Sequence, residues 1–371
     1  MLSNSIGRIT FPKEGVYDPS PLNGCGVLRA SLAGDEEESE KAYDLLESMW
    51  NEPNRYYHDM THLNKLCRLI LADLYDKKIS EDECKKLILV AVFHDAVLND
   101  EVGSAELYRK MSRESFDKDV YEAILDTKDH TKKTSNRLSE IFNVYDLHNL
   151  LYGSVEDLIS DSHLLMREYG HVDWSVMSKN RIGFIENIEP YIRSKNDKTH
   201  ISEYLVWLKS YRPRIAAFAG TFFPMHKGHI NILEKAEKIF DKVIVACGIN
   251  PAKVPAAQRD AYMKEQAAYM EKIKQMLPNN QVEMFDGFVT DYIKTKPYHL
   301  TIVKGLRNPS DFDSEKITLR YMEDIDPNID VIYIISDRQF EHVSSSGIKQ
   351  VKLLEEYSGR EGNLTEKYLK Q

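Results

Sequence analysis

A change of rhythm near residue 213 constrains this chain more than any other feature. From about Asp35 to Leu208, glycine and proline are sparse and apolar residues recur every three or four positions, as in Ala42, Leu45, Leu46 and Met49. That is the period of helices with one buried face. Tyr211-Arg-Pro-Arg214 then punctuates the chain. Beyond it, short β-rich runs at 215–219, 243–248, 282–285, 300–303 and 331–335 alternate with helical patterns such as 230–240 and 259–276. Alternation of that kind builds a parallel sheet covered by helices on both faces. The fold class expected is therefore multidomain, with an all-helical domain followed by a Rossmann-like doubly wound α/β domain. The boundaries expected are an irregular Gly/Pro/Ser/Asn-rich arm over 1–34, an all-α domain over 35–210 and the α/β domain over 213–371. At roughly 150 residues per domain, 371 residues suit this division.

Charge and composition narrow the partners. Lys+Arg is 49 and Asp+Glu is 59, a net charge of −10. A general nucleic-acid binder would need a basic footprint instead. Any phosphate handled here must meet a few positioned cations. The four cysteines, Cys25, Cys67, Cys84 and Cys247, form no C-x-x-C pair, so neither a disulfide framework nor a zinc-thiolate site is expected. The opening MLSNSIGRIT has no basic stretch leading into an apolar core, so no secretory leader is expected. The longest apolar run, Leu87 to Phe93, falls far short of the roughly 20 residues of a membrane span. We expect a cytoplasmic protein with no nucleic-acid and no membrane partner.

In the second half, Gly220-Thr-Phe-Phe-Pro-Met-His-Lys-Gly-His229 follows the first expected strand and opens a helix. In a doubly wound sheet that strand end faces the ligand crevice, and a helix N-terminus there offers N–H groups to a phosphate. A Walker P-loop is absent. The pattern resembles the H-x-G-H or T-x-G-H signature of the nucleotidyltransferase superfamily. Residues 214–350 resemble, more narrowly, the phosphopantetheine adenylyltransferase family. Asn250-Pro-Ala-Lys253, Asp286-Gly-Phe-Val-Thr-Asp-Tyr292, Lys304-Gly-Leu-Arg307 with Ser310-Asp-Phe-Asp313, and Val343-Ser-Ser-Ser346 follow that family's motifs in order.

The resemblance implies adenylyl transfer from ATP, carried by magnesium, to a small phosphorylated acceptor. It implies catalysis by His229 and His226, with His229 stabilising charge on the α-phosphate. Thr221 and Lys253 would hold the acceptor's phosphate, and Lys304, Arg307, Glu315, Ser344, Ser345 and Ser346 would line the nucleotide site. Four departures bear on the acceptor, the first being Ser314, which stands where the family usually has an aromatic after its S-D-F-E. Phe223 stands where the family has an acid, Lys304 stands for an arginine, and His226 stands for a threonine, as in nicotinamide-mononucleotide adenylyltransferases.

In the first half, Arg55-Tyr-Tyr-His58-Asp-Met-Thr-His62 is followed by Phe93-His94-Asp95. His58 and His62 share a helix face. Asp95 ends an apolar run, where an unpaired carboxylate is costly. A divalent metal accounts for both. The pattern resembles HD-domain metal-dependent phosphohydrolases, especially a small bacterial subgroup with R-x-Y-H-x-x-x-H and F-H-D-x-V, over about residues 42–195. It implies that His62, His94, Asp95 and Asp146 hold a divalent transition metal (manganese, iron, nickel, cobalt or zinc), with Asp157 or Asp161 as alternatives to Asp146. His58 would be a general acid, and Arg55 a phosphate contact. His130, His171 and Arg181 echo later motifs of the subgroup.

Together these readings predict a bifunctional homo-oligomeric enzyme, an adenylyltransferase for 4′-phosphopantetheine joined to a phosphohydrolase. The alternatives are a nucleotidyltransferase for nicotinamide mononucleotide or another phosphometabolite, and a hydrolase or sensor whose transferase half only binds nucleotide.

Overall fold

A computed structural model describes residues 36–249, 259–358 and 365–369. The 1–34 arm and the Asn250–Lys253 turn lie outside them. The described residues divide into two compact units, one of residues up to Leu165 plus Ile182–Lys209, the other of Met166–Arg181 plus residues from Ser210 on.

The first unit is helical. Its elements are α1 (Glu36–Trp50), α2 (Met60–Tyr75), α3 (Glu81–Phe93), α4 (Glu101–Ser112), α5 (Lys118–Asp126), α6 (Arg137–Asp146), α7 (His148–Tyr152), most of α8 (Val155–Glu168), the later part of α9 (Trp174–Lys195), and α10 (Ile201–Ser210). Ser80 and Glu83 form a capping box that starts α3. From Leu87 to Phe93 every residue of α3 is buried, so this helix is the unit's axis and not a surface helix. Trp50, Leu63, Leu66, Phe93, Tyr108 and Phe142 pack around it. Where α3 emerges from this core, its first polar residues are His94 and Asp95.

In the second unit, β1 (Ile215–Gly220), α11 (Lys227–Ala236), β2 (Lys242–Ile249), α12 (Arg259–Met276), β3 (Gln281–Asp286), α13 (Val289–Lys294), β4 (Leu300–Leu306), α14 (Pro309–Ile325), β5 (Val331–Ile335) and α15 (Ser345–Ser358) alternate. The strands are all parallel, in the order β3-β2-β1-β4-β5. The expected alternation is thus realised, with α11 starting three residues earlier than the apolar pattern suggested because the polar His226-Lys-Gly-His turn belongs to it. β1 is buried from Ile215 to Ala219, as a central parallel strand must be. The order reverses at β1, which places a crevice beyond the carboxyl ends of β1 and β4.

Residues 166–181 are fastened to the opposite, amino-terminal end of the strands. Lys242, the first residue of β2, donates to the Gly170 carbonyl and, at 2.9 Å, to that of Val172. Burial pushes its ammonium down to about 8. Asp173 accepts from Tyr298 Oη at 2.7 Å and Gln281 Nε2 at 3.1 Å. Lys296 lies between Asp173 and Glu283. Burial raises the Asp173 carboxyl, but the Ser175, Tyr298 and Gln281 donors overcome this and hold it well below the usual carboxylate range. Among the described residues no helix is long and apolar enough to cross a membrane.

Asp173→Ala should therefore lower the melting temperature of the second unit, with a loss of about 1–3 kcal/mol from donors left without their acceptor. The contribution is present above pH 4 and fades as pH falls below it, since the folded carboxyl is depressed. Equal melting of variant and wild type at pH 7, followed by near-ultraviolet circular dichroism, would remove Asp173 from the set of stabilising contacts.

Candidate functional site

β1 delivers the chain into the crevice. Gly220 ends the strand, and a Cβ there would stand 3.0 Å from the Phe222 ring. Phe222 itself has φ +46, a conformation a bulky side chain seldom adopts. Its ring packs 4.8 Å from Phe218 and edge-on to His229 at 5.0 Å. The chain then enters α11 through His226, whose extended backbone (φ −141, ψ 167) caps the helix. The first amide of the helix, Lys227 N–H, donates to the Tyr368 carbonyl at 2.9 Å.

Two imidazoles occupy this turn. The His226 backbone N–H donates to His229 Nδ1 at 3.3 Å. Nδ1 is thereby the acceptor, and the proton of a neutral ring sits on Nε2. The two rings stack with centroids 3.6 Å apart. A Cβ on Gly228 would come within 3.1 Å of the His226 ring, so the glycine of the H-x-G-H turn makes room for the stack. Burial, then the neighbouring Arg307, lowers His226 to about 4. Burial, His226 and Arg307 put His229 well below its ordinary value. Both rings are neutral donors at pH 7, not cations.

The other walls supply the charge. Arg307, at the end of β4, is gripped by Asp311, with Nε 2.9 Å from Oδ2 and Nη2 2.8 Å from Oδ1. Its Nη1 reaches the Val343 carbonyl at 3.3 Å. Lys304 stands 3.7 Å from Glu315. Ser344 Oγ accepts from Gly347 N–H at 3.0 Å at the start of α15, and Ser345 Oγ donates to the Pro224 carbonyl. Asn231 and Lys235 of α11 hold Asp337 at 2.8 and 2.6 Å, latching the helix beside β5. The result is a cleft of about 620 Å³, lined by Thr221, His226, His229, Lys304, Arg307, Glu315 and Ser344 to Ser346. Of the residues expected in the nucleotide site, Lys253 lies outside the described residues. The further lining residues with no role assigned from sequence include Asp311 and Lys349. Asp311 lies in the first turn of α14, four residues after Arg307. Lys349 lies 4.2 Å above the Phe223 ring.

Residues 217–351 match the cytidylyltransferase-like family. Over 138 residues the chain is 34% identical to the phosphopantetheine adenylyltransferase of Clostridium novyi (strain NT), a match covering 37% of this chain and 83% of that protein. Over 140 residues it is 34% identical to that of Clostridium botulinum (strain Hall), covering 38% and 82%. Through this region the chain belongs to the phosphopantetheine adenylyltransferase family. In this family member the matched residues carry β1 to the first turns of α15, and so the whole cleft wall.

The helical unit lies outside the matched residues and holds its own cluster. Asp59 caps α2, accepting from Thr61 and His62 N–H at 2.8 and 3.1 Å, and this starts the helix that carries His62. His62 Nε2 lies 3.4 Å from Asp146 Oδ1. His94 Nε2 lies 2.9 Å from Asp95 Oδ2 and 3.7 Å from Asp146 Oδ1. His58 Nε2 is 3.8 Å from Asp95, and His130 Nε2 is 3.3 Å from Asp146. Ligand atoms of His62, His94 and Asp95 all fall within 4.8 Å of one another. His94 Nδ1–H donates to the Ala91 carbonyl at 2.9 Å, which turns Nε2 toward the carboxylates.

Buried Nε2 atoms of His62 and His94 nevertheless have no partner in hydrogen-bonding geometry. Nitrogen and oxygen lone pairs that crowd one point without bonding each other suit a cation between them. Burial opposes charge on Asp146, but the neighbouring His130, His62 and His94 imidazoles overcome it and hold the carboxyl well below its usual range. Of the two alternatives to Asp146, Asp161 instead accepts from Asn149 at 2.7 Å and Asp157 from the Ser154 N–H at 2.9 Å. Arg55 corrects one expectation. Its guanidinium is buried and donates to the carbonyls of His58, Asp95 and Ala96, so it ties the two ligand-bearing segments together and is not available as a phosphate contact. His171 and Arg181 fall in the segment that belongs to the second unit.

The depressed His226 gives a pH test. A neutral buried ring contributes stability that is present above the unfolded value near 6.5 and is lost as pH falls toward 4. In NMR titrations, the imidazole resonances of His226 and His229 should stay fixed from pH 8 to 5.5. Either one moving with a midpoint near 6.5 would mean that the stacked pair is not held neutral.

Proposed function

We propose that the chain is a bifunctional enzyme whose second unit transfers the adenylyl group of ATP to 4′-phosphopantetheine. The observation that carries this reading is the neutral, tautomer-set His229 in a cleft that also holds Arg307 and the serine turn of α15. A phosphate oxygen of the acceptor attacks the α-phosphorus, the bond to the bridging oxygen breaks, and pyrophosphate leaves. No covalent intermediate is needed, so orientation and electrostatics supply the rate. His229 Nε2–H donates to the α-phosphate as its charge is redistributed, with His226 beside it. Arg307, oriented by Asp311, presents its remaining N–H groups to the triphosphate. Ser344 to Ser346 receive the β- and γ-phosphates. Lys304 and Glu315 border the nucleotide, and Thr221 with Lys253 holds the acceptor's phosphate. Magnesium, bound through the phosphates, would screen their charge.

The helical unit is proposed as an HD-type phosphohydrolase. His62, His94, Asp95 and Asp146 would hold a divalent transition metal, which supplies activated water when bound. His58, within reach of Asp95, would give a proton to the leaving oxygen, and His130 orients Asp146. Ester cleavage places the water oxygen on phosphorus, the departing alkoxide takes the His58 proton, and the proton released from water restores His58. The exposed Ile317, Tyr321, Ile335, Leu353 and Tyr357 of the second unit support assembly of copies into a homo-oligomer. Among the described residues Cys67, Cys84 and Cys247 are buried and form no disulfide, in accord with a reducing, cytoplasmic setting.

Pyrophosphate release from ATP, measured on the full chain with a panel of phosphorylated acceptors, tests the first activity. 4′-Phosphopantetheine should be preferred, and preference for nicotinamide mononucleotide would transfer the assignment to that acceptor. His229→Ala should slow transfer by ~10²–10³ while ATP binding changes far less. Equal losses in both would reduce the residue to ground-state binding. For the second activity, metal analysis should find at least one transition metal per chain, removed together with phosphoester hydrolysis by His94→Ala/Asp95→Ala. Absence of bound metal after growth with added manganese and nickel would reject the centre.

A further inference from the structure

Beside the metal-ligand cluster, the helical unit contains a second polar group to which the hydrolase reading gives no role. A cleft of about 350 Å³ is lined by His62 and Asp146 and also by Lys65, His148, Asn149 and Asp161. Its volume sits at the lower end of the range for small-molecule sites. Lys65 follows His62 by three residues on α2, so the two share a face. Lys65 Nζ donates to Asn149 Oδ1, and Asn149 Nδ2 donates to Asp161 Oδ2 at 2.7 Å. The two helices that supply these partners, α7 and α8, carry none of His62, His94, Asp95 and Asp146. His148 Nδ1 is buried in the same wall with no hydrogen-bond partner. Burial outweighs Asp161 and Asp157 and leaves Lys65 lowered, and Asn149 links its ammonium to the Asp161 carboxylate of α8.

The chain from Lys65 through Asn149 to Asp161 decides what the group can recognise. A second anion would meet Asp161 as well as Lys65 and gain little. A hydroxyl is donor and acceptor at once. One hydroxyl can accept from Lys65 and donate to Asp161, and a second can satisfy His148 Nδ1 in either tautomer. Tyr56 and Tyr57 add aromatic rings to the same lining, surfaces suited to the C–H face of a compact polyol.

We infer that Lys65, Asn149, Asp161 and His148 form a leaving-group subsite that selects phosphate esters of polyhydroxylated alcohols, with a sugar phosphate as the substrate class. The inference rests on the hydrolase reading, whose metal end would take the phosphate. The same hydroxyl chemistry is found in a free sugar phosphate and in the ribose of a nucleotide.

The test is calorimetric binding to the full chain loaded with manganese. The probes are ribose 5-phosphate, propyl phosphate, which lacks hydroxyls, and adenosine 5′-monophosphate. Wild type should bind ribose 5-phosphate at least tenfold more tightly than propyl phosphate. Lys65→Met and the near-isosteric Asp161→Asn should each narrow that ratio to within about threefold, the loss falling on ribose 5-phosphate. Metal content measured on the same samples separates damage to the centre from damage to the subsite. Adenosine 5′-monophosphate binding as tightly as ribose 5-phosphate would assign the hydroxyls to a nucleotide, and much weaker binding would assign them to a free sugar phosphate. A hydroxyl preference without turnover of any ester would keep the subsite and reject the hydrolase. Equal affinity of wild type for ribose and propyl phosphates, or a preference intact in both folded variants, would overturn the inference.

Discussion

Two imidazoles are buried against each other at the first turn of a helix at least cost when neither carries a second proton and its charge. The hydrogen bond from the His226 amide to His229 Nδ1 satisfies that condition and at the same time chooses the tautomer. Much of the second unit is arranged around it. The buried β1 and the edge-on Phe222 ring fix where His229 stands. Gly228 admits the stacked partner. The Asn231, Lys235 and Asp337 contacts keep α11 from shifting along β5. Arg307 brings fixed charge to the same cleft, and Asp311 holds it in place so that few rotamers are lost when a phosphate arrives.

The helical unit uses the same residue type under the opposite electrostatics. There the imidazoles stand against carboxylates, so their basic nitrogens are drawn toward negative charge and away from solvent. One histidine pair is thus prepared to donate protons in hydrogen bonds, and the other group to give lone pairs. The difference follows from neighbours. Arg307 lies near the first set, while Asp95 and Asp146 lie within the second.

The parallel sheet was readable because its strands are short β-branched and alanine-rich runs separated by helices, a pattern with few alternative folds. The H-x-G-H turn was readable as a site because it sits at the end of the first strand. Asp311 was visible as a residue but not as a positioning group, since an i,i+4 acid beside an arginine is usually a surface pair. Arg55 was misjudged for a related reason. An arginine next to a histidine motif suggests phosphate, yet carbonyls from His58, Asp95 and Ala96, some 40 residues apart in sequence, claim its donors. The Lys65 and Asp161 relation depends on α2, α7 and α8 converging, which no local period encodes. Asp173 was hidden because its partners lie more than 100 residues further along the chain.

That last separation bears on how the protein is made. Residues 166–181 leave the ribosome well before the strands they fasten to. Gln281 follows Asp173 by 108 residues and Tyr298 by 125. At roughly 5–20 residues per second, the delay is on the order of 6–25 s. Throughout that interval the nascent Asp173 has no Tyr298 to meet, while Ile182–Lys209, made in the meantime, already belongs to the helical unit. Neither unit is one uninterrupted stretch of chain, so translation speed across 210–300 becomes a variable of assembly, and rare codons there would lengthen the exposure of a segment whose destination is still being synthesised.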